Sequence, residues 1–271
     1  MGKRNFIPKW LRPPAATPDG VMSLADHLRE VRYRLIISLA AVILAAVVSA
    51  IWYEQLYQLL LLPYLRAVQL LAESDPNLHP STVISGVVTP FTLALKTCAT
   101  AGLAVASPVW IYQLWKFVVP ALLAKEKRYL TIFLAVAIPL FLAGVAVGYY
   151  IMPQGISVML SFTPSSVPVT NLLEINQFLS LMLQLMLIFG LGFLMPVVVV
   201  GLNLLGVVSA KRLGKVRTYV IFGIFVFAAV ATPSTDPFSM LALSVPMVLL
   251  YLIAEIIARV HDRRAKRTQS A

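Results

Sequence analysis

The sequence predicts an all-α, polytopic membrane protein of six transmembrane helices with both termini cytoplasmic, and three observations predict it. The 271-residue chain is 59% hydrophobic and 12% charged, with a mean hydropathy of +0.86, whereas soluble domains are nearer a quarter charged. Six apolar segments can be drawn, at about 35–53, 91–115, 130–151, 175–205, 219–231 and 240–257. Finally, 20 of the 22 cations fall in the tails and links that six crossings put on one side. The positive-inside rule makes that side cytoplasmic. The net charge of +11 is therefore mostly topology rather than a nucleic-acid footprint.

Residues 1–22 are basic, carry prolines at 8, 13, 14 and 18, and read as a flexible cytoplasmic tail. No apolar core precedes Leu35, so this stretch is not a cleavable secretory signal and the first span inserts by itself. Residues 23–259 form the six-span domain, and 260–271 a second basic cytoplasmic tail. Within 23–35, Ser23 followed three residues later by Asp26 suits a helix start. Leu24, Leu28, Val31 and Leu35 then recur at helical spacing as one apolar stripe. Glu30 lies off that stripe. One open reading of it is an i,i+4 pair with Arg34, worth a few tenths of a kcal/mol.

The first three spans approach the roughly 20 apolar residues needed to cross a bilayer core. The first outer link is long and holds an apolar run at 56–62, enough for short amphipathic helices over the outer face. Lys96 sits about one turn inside the outer end of the second span, where its stem can snorkel outward. The link after that span carries Glu126 among Lys125, Lys127 and Arg128. A solvated surface pair, worth about 0–1 kcal/mol, is one open reading of Glu126. The fourth span is overlong, and the fifth would reach only about 20 Å at 1.5 Å per residue. Prolines 108, 139, 196 and 246 each interrupt a different span, which predicts bent helices and a concave wall.

No catalytic constellation is visible. His27, His79 and His261 lie far apart, there is no H-E-x-x-H and no glycine-rich phosphate loop, and the sequence points to no metal and no cofactor. Cys98 is alone and reads as a small buried hydrophobe. Gln184 is the one strongly polar side chain in mid-span, a residue type that commonly hydrogen-bonds between helices. A six-span secondary transporter or channel for a small solute is the alternative function, but there is no internal repeat to support it. An intramembrane enzyme would place ionisable groups in mid-span, and these spans are nearly free of them.

Four blocks change the level of detail available: DHLREVRYRL at 26–35, SPVWIYQLWKFVVPALLAKEKR at 107–128, FGLGFLMP at 189–196, and TPSTDPFS at 232–239 followed by Pro246. In order and spacing they resemble the motifs of the TatC family, the multi-spanning subunit of the twin-arginine protein translocase, from about Ser23 to Arg259. The resemblance implies a non-enzymatic receptor in the bacterial-type plasma (inner) membrane, curved like a cupped hand, with short fifth and sixth spans. It implies binding of the twin-arginine signal peptides of folded export proteins, recruitment of TatA-like and TatB-like single-span subunits into an oligomeric complex, and transport driven by the protonmotive force. Residue by residue, it assigns signal-peptide binding to Glu30 and Glu126, with Arg32, Leu35 and Phe117 at neighbouring motif positions. Pro63 and Pro108 match structural prolines, and Asp236 matches an outer aspartate.

Three positions depart from the family pattern. Leu194 stands where many members carry a glutamate, Met240 where a polar residue is common, and Leu252 where a glutamate often follows Leu-Tyr. Gln184 and Glu255 are the polar groups left for intramembrane contact with a partner helix.

Overall fold

The computed structural model describes residues 24–74, 81–83, 86–118, 127–160, 172–204, 206, 208–232 and 237–269. It is helical nearly throughout. Five helices are long and apolar enough to cross a membrane, and six if one bent pair counts as a single span.

Helix α1 (Leu24–Ser49) passes through a 3-10 turn (Ala50–Trp52) directly into α2 (Tyr53–Ser74). The apolar helical run 26–66 is 41 residues long, about 60 Å at 1.5 Å per residue. That is twice a hydrocarbon core of about 30 Å, so α2 must leave the bilayer. Where the sequence suggests short amphipathic helices there is one helix, and it continues through Pro63. Proline cannot donate to the carbonyl four residues back. Here the Leu59 carbonyl instead accepts from the Tyr149 hydroxyl at 2.7 Å, which also ties α2 to the following bundle.

The second apolar segment is two helices, α3 (Thr89–Val105) and α4 (Ser107–Val118), bent by 60° at Ala106. Pro108 accounts for the break, because its ring is tolerated in the first turn of a new helix but not inside an old one. The Leu103 carbonyl, freed near the break, accepts from the Trp110 indole N–H at 2.9 Å. Pro139, Pro196 and Pro246 behave differently. The helices α5 (Lys127–Leu160), α6 (Ile175–Leu204) and α8 (Pro237–Gln269) run on through them.

Helix α7 (Ala210–Ala231) starts nine residues before its apolar run, so the short apolar stretch sits in a 22-residue helix whose early turns carry Lys211, Arg212, Lys215 and Arg217. Helix α8 likewise continues past residue 257 through the basic tail to Gln269. Among the described residues the only strands are β1 (Ser81–Val83) and β2 (Leu172–Glu174), a small parallel ribbon between two links.

Helices α5 and α6 form the centre. Gly144 and Gly148 stand four apart on α5, the small-xxx-small spacing that lets membrane helices approach closely. A Cβ at Gly144 would lie 2.5 Å from the Phe189 carbonyl oxygen, and one at Gly148 would lie 2.8 Å from the Met186 Cα. Leu179, Met182, Leu185 and Phe189 on α6 are fully buried against Tyr64, Leu243 and Tyr251. Half of the most apolar window of α6 is buried, against 6% of that in the first helical run. The first helix is a peripheral stave; α6 is the mast.

Candidate functional site

Contacts between helix ends gather the start of α1, the end of α4, the start of α5, the end of α6, the start of α7 and the end of α8 at one end of the bundle. Most of the cations lie on these segments or on the tails and links next to them. We call it the basic end.

There the first helix is turned opposite to a helix in water. Its apolar residues Leu28 and Leu35 are exposed, at 61% and 64%, while Glu30 on another face is 5% exposed. Apolar surface needs no cover in lipid, whereas a carboxylate does. Glu30 Oε1 accepts from Arg34 Nε at 3.0 Å and forms an ion pair with Arg34 Nη2. Arg34 Nη1 reaches on to Gln113 Oε1 of α4 at 3.4 Å. The pair the sequence allowed is therefore real, but it is inside the protein rather than on its surface. Glu30 Oε2 is buried and has no donor among the described residues. One turn before Glu30, the His27 ring stacks on Phe117 of α4, with centroids 4.9 Å apart.

Helix α4 works as a partition. Gln113 and Phe117, four apart, face α1; Ile111 and Trp115, also four apart, are buried on the side of α5 and α6. Behind Trp115 lies an open apolar hollow of ≈ 410 Å³ walled by α4, α5, α6 and α8, lined by residues including Phe133, Val197, Leu204, Leu250 and Ile257. The basic end thus presents a buried carboxylate on one side of α4 and an apolar hollow on the other.

Two polar locks hold this end together. Asp262 Oδ2 accepts from the Ala210 backbone N–H at 2.8 Å, next to the Ser209 N-cap of α7, while its Oδ1 accepts from Asn203 Nδ2 at 3.1 Å. Asn203 also donates to the Val208 carbonyl at 2.8 Å, so α6, α7 and α8 meet on one amide and one carboxylate. Deeper in α8, Glu255 is 3% exposed and ion-paired with Arg259 against Gly214 of α7. One turn earlier, the Tyr251 hydroxyl donates to the Leu213 carbonyl at 3.2 Å.

Of the sequence-predicted residues, Glu30 and Phe117 are brought to one interface, on facing helices. Arg32 and Leu35 are exposed on α1, Pro63 is buried in α2, and Pro108 opens α4. Glu126, Asp236 and Ser23 fall outside the described residues. Gln184 is exposed on α6, while Glu255 is committed to its ion pair within the chain. Leu194 packs with Ile111, Ala137 and Phe141, and Met240 and Leu252 pack against the main core, so these apolar replacements fill interior space. Gln113 was not singled out from the sequence, because nothing local marks it; its role depends on α4 lying against α1. Among the described residues no cluster of His, Cys, Asp and Glu suits a metal.

The chain is similar to known proteins over most of its length. Residues 26–246 match the family model described as Sec-independent protein translocase protein (TatC). The Sec-independent protein translocase protein TatC of Frankia casuarinae is 41% identical over 256 residues, covering 92% of this chain and 69% of that protein. The Aquifex aeolicus protein of the same name is 31% identical, covering 92% of this chain and all of its own length. A crystal structure described as twin arginine translocase receptor TatC in DDM superposes with a TM-score of 0.71 at 30% identity, covering 86% of this chain and 99% of that one.

Proposed function

The chain belongs to the TatC family, multi-pass membrane subunits of the Sec-independent protein translocase and not enzymes, and from that premise we propose that it is the receptor that reads twin-arginine signal peptides at its basic end. The small-solute transporter or channel gives way to the family. In this reading the basic end is cytoplasmic, both termini lie there, and the membrane is the bacterial inner membrane.

The observation that carries the reading is Glu30: a carboxylate at the membrane boundary, nine-tenths buried, with one oxygen paired to Arg34 and the other without a donor among the described residues. Carboxylates are the natural acceptors for the planar fork of a guanidinium. Glu126 supplies the second acceptor, and Phe117 an aromatic face on α4 opposite α1. Arg32 and Leu35 border the approach along α1. Hydrogen bonds to charged groups contribute about 1.5–3 kcal/mol each, and micromolar affinity requires about 8 kcal/mol. Two carboxylates are not enough. The apolar segment of the signal supplies the remainder, at about 25 cal/mol per Å² buried, with its side chains anchored in the hollow behind Trp115. TatA-like and TatB-like single-span subunits complete the complex, and the protonmotive force drives transport.

The test is binding of a fluorescent twin-arginine signal peptide and its twin-lysine counterpart to the purified chain and to Glu30→Ala and Glu126→Ala. Strong preference for arginine that both variants lose is the expected result. Equal binding of the two peptides, or preference untouched by either variant, overturns the reading.

A further inference from the structure

The charge pattern leaves two cations off the basic end, Lys96 and Arg66. Lys96 turns sideways and donates to Ser180 Oγ of α6 at 3.0 Å. Arg66 has no such acceptor: among the described residues it makes neither a hydrogen bond nor an ion pair. It is exposed on α2 and ends the apolar helical run 26–66, which is too long to stay inside the bilayer. With Pro63 of α2 and Tyr149, Tyr150, Pro153 and Gln154 of α5, it lines a small pocket of ≈ 120 Å³. These α5 residues lie about 33–40 Å along the helix from Lys127, so the pocket is at the end of the bundle opposite the basic end.

A proline sets up this pocket. Pro63 has no N–H for the Leu59 carbonyl, which takes the Tyr149 hydroxyl instead. The Tyr149 donor is thereby spent, and its ring, edge-on to Tyr150 with centroids 5.3 Å apart, steadies the second tyrosine. Gln154 turns its amide N–H groups back onto the Tyr150 and Ile151 carbonyls. Two donors remain for a ligand: the Arg66 guanidinium and the Tyr150 hydroxyl, which makes no hydrogen bond among the described residues. They come from different helices, and among the described residues no carboxylate lines the pocket to repel an anion. A guanidinium fork with a hydroxyl beside it suits an anion that has several oxygens and one charge to match the single arginine. We propose that this pocket binds a phosphate group, either the headgroup phosphate of a lipid or a free phosphate ester. The site is independent of signal reading at the basic end.

The test uses the full chain in a maltoside detergent, which carries no phosphate, and counts bound ligand by native mass spectrometry. The probes are phosphatidylglycerol, diacylglycerol with the same chains, glycerol phosphate and acetate. Cations at the basic end also attract anions, so the pocket is read as the difference between the native chain and its variants. Arg66→Gln is expected to bind phosphatidylglycerol about tenfold more weakly. Arg66→Lys, which keeps the charge without the fork, falls in between, and Tyr150→Phe loses several-fold. Both side chains are exposed, so the thermal midpoints of these variants should not move. Hydrogen exchange at the end of α5 should slow on binding in the native chain and not in Arg66→Gln. Glycerol phosphate binding with the same dependence on Arg66 assigns a soluble ligand; dependence seen with phosphatidylglycerol alone assigns a headgroup. Phosphate binding untouched by both Arg66→Gln and Tyr150→Phe overturns the proposal. So does diacylglycerol binding as tightly as phosphatidylglycerol, or acetate showing the same dependence on Arg66.

Discussion

Trp115 and Phe133 lie face to face, ring centroids 3.5 Å apart and planes 9° from parallel. The two rings belong to the end of α4 and the start of α5, so they fix both ends of the intervening link, which carries Glu126. Burying two aromatic side chains this way contributes more than any surface ion pair in the region.

Gly201 of α6 lies under Trp115, and a Cβ there would overlap the indole ring. Because the indole is held by Phe133, it cannot swing aside. Gly201→Ala is expected to destabilise the chain by about 1–3 kcal/mol, seen as a lower thermal midpoint in detergent. The same variant should weaken twin-arginine peptide binding. An unchanged midpoint would show that α4 is free to shift.

Arg34 and Glu30 can be separated by a double substitution. Removing one partner of a buried pair costs about 3–5 kcal/mol because the other charge is left alone, while replacing both with apolar groups is often neutral. Arg34→Leu alone should therefore be poorly stable, and Glu30→Leu with Arg34→Leu should recover most of the loss. Peptide selectivity should not recover with it. A stable double variant that still prefers arginine would remove Glu30 from recognition.

Asp262→Ala takes away the acceptor of the Ala210 N–H at the start of α7 and one of the two acceptors of the Asn203 amide, while Ser209 stays as the N-cap. Loss of a hydrogen bond to a charged group costs about 1.5–3 kcal/mol. Hydrogen exchange should rise in the first turn of α7, with little change in α5. Uniform protection in the variant would mean the lock is redundant.

Gly148→Leu drives a side chain into the Met186 backbone, where even a Cβ is too close. The helices α5 and α6 must separate, and a cysteine pair placed across them should no longer crosslink. Crosslinking at the normal rate would contradict the close approach.

Much of this was legible in the sequence, because span number and charge asymmetry follow from hydropathy and from where Lys and Arg fall. The 30,34 pair was readable from spacing, but its burial was not. Helical spacing says which residues share a face, and only the medium says whether the apolar face turns inward. The break at Ala106 was anticipated only as a bend, since prolines 108, 139 and 196 look alike locally. They differ in what surrounds them: Pro108 meets an indole that takes up a freed carbonyl, while α5 and α6 are continuous through Pro139 and Pro196. The sideways turn of Lys96 depended on Ser180, 84 residues away.

The uneven burial of the helices bears on the order in which the chain is made. Helix α1 emerges first and has few fully buried residues, so it can enter the bilayer without waiting for neighbours. Helix α6 hides half of its most apolar window and emerges after α5, whose paired glycines already offer it a surface to settle on. The last helix, α8, then closes over Gly192 through Met247 and Leu243 and pins the start of α7 with Asp262. Synthesis from the N-terminus thus presents α6 to the membrane when α5 is present and α8 when α6 and α7 are, and α8 acts as the latch that completes the bundle.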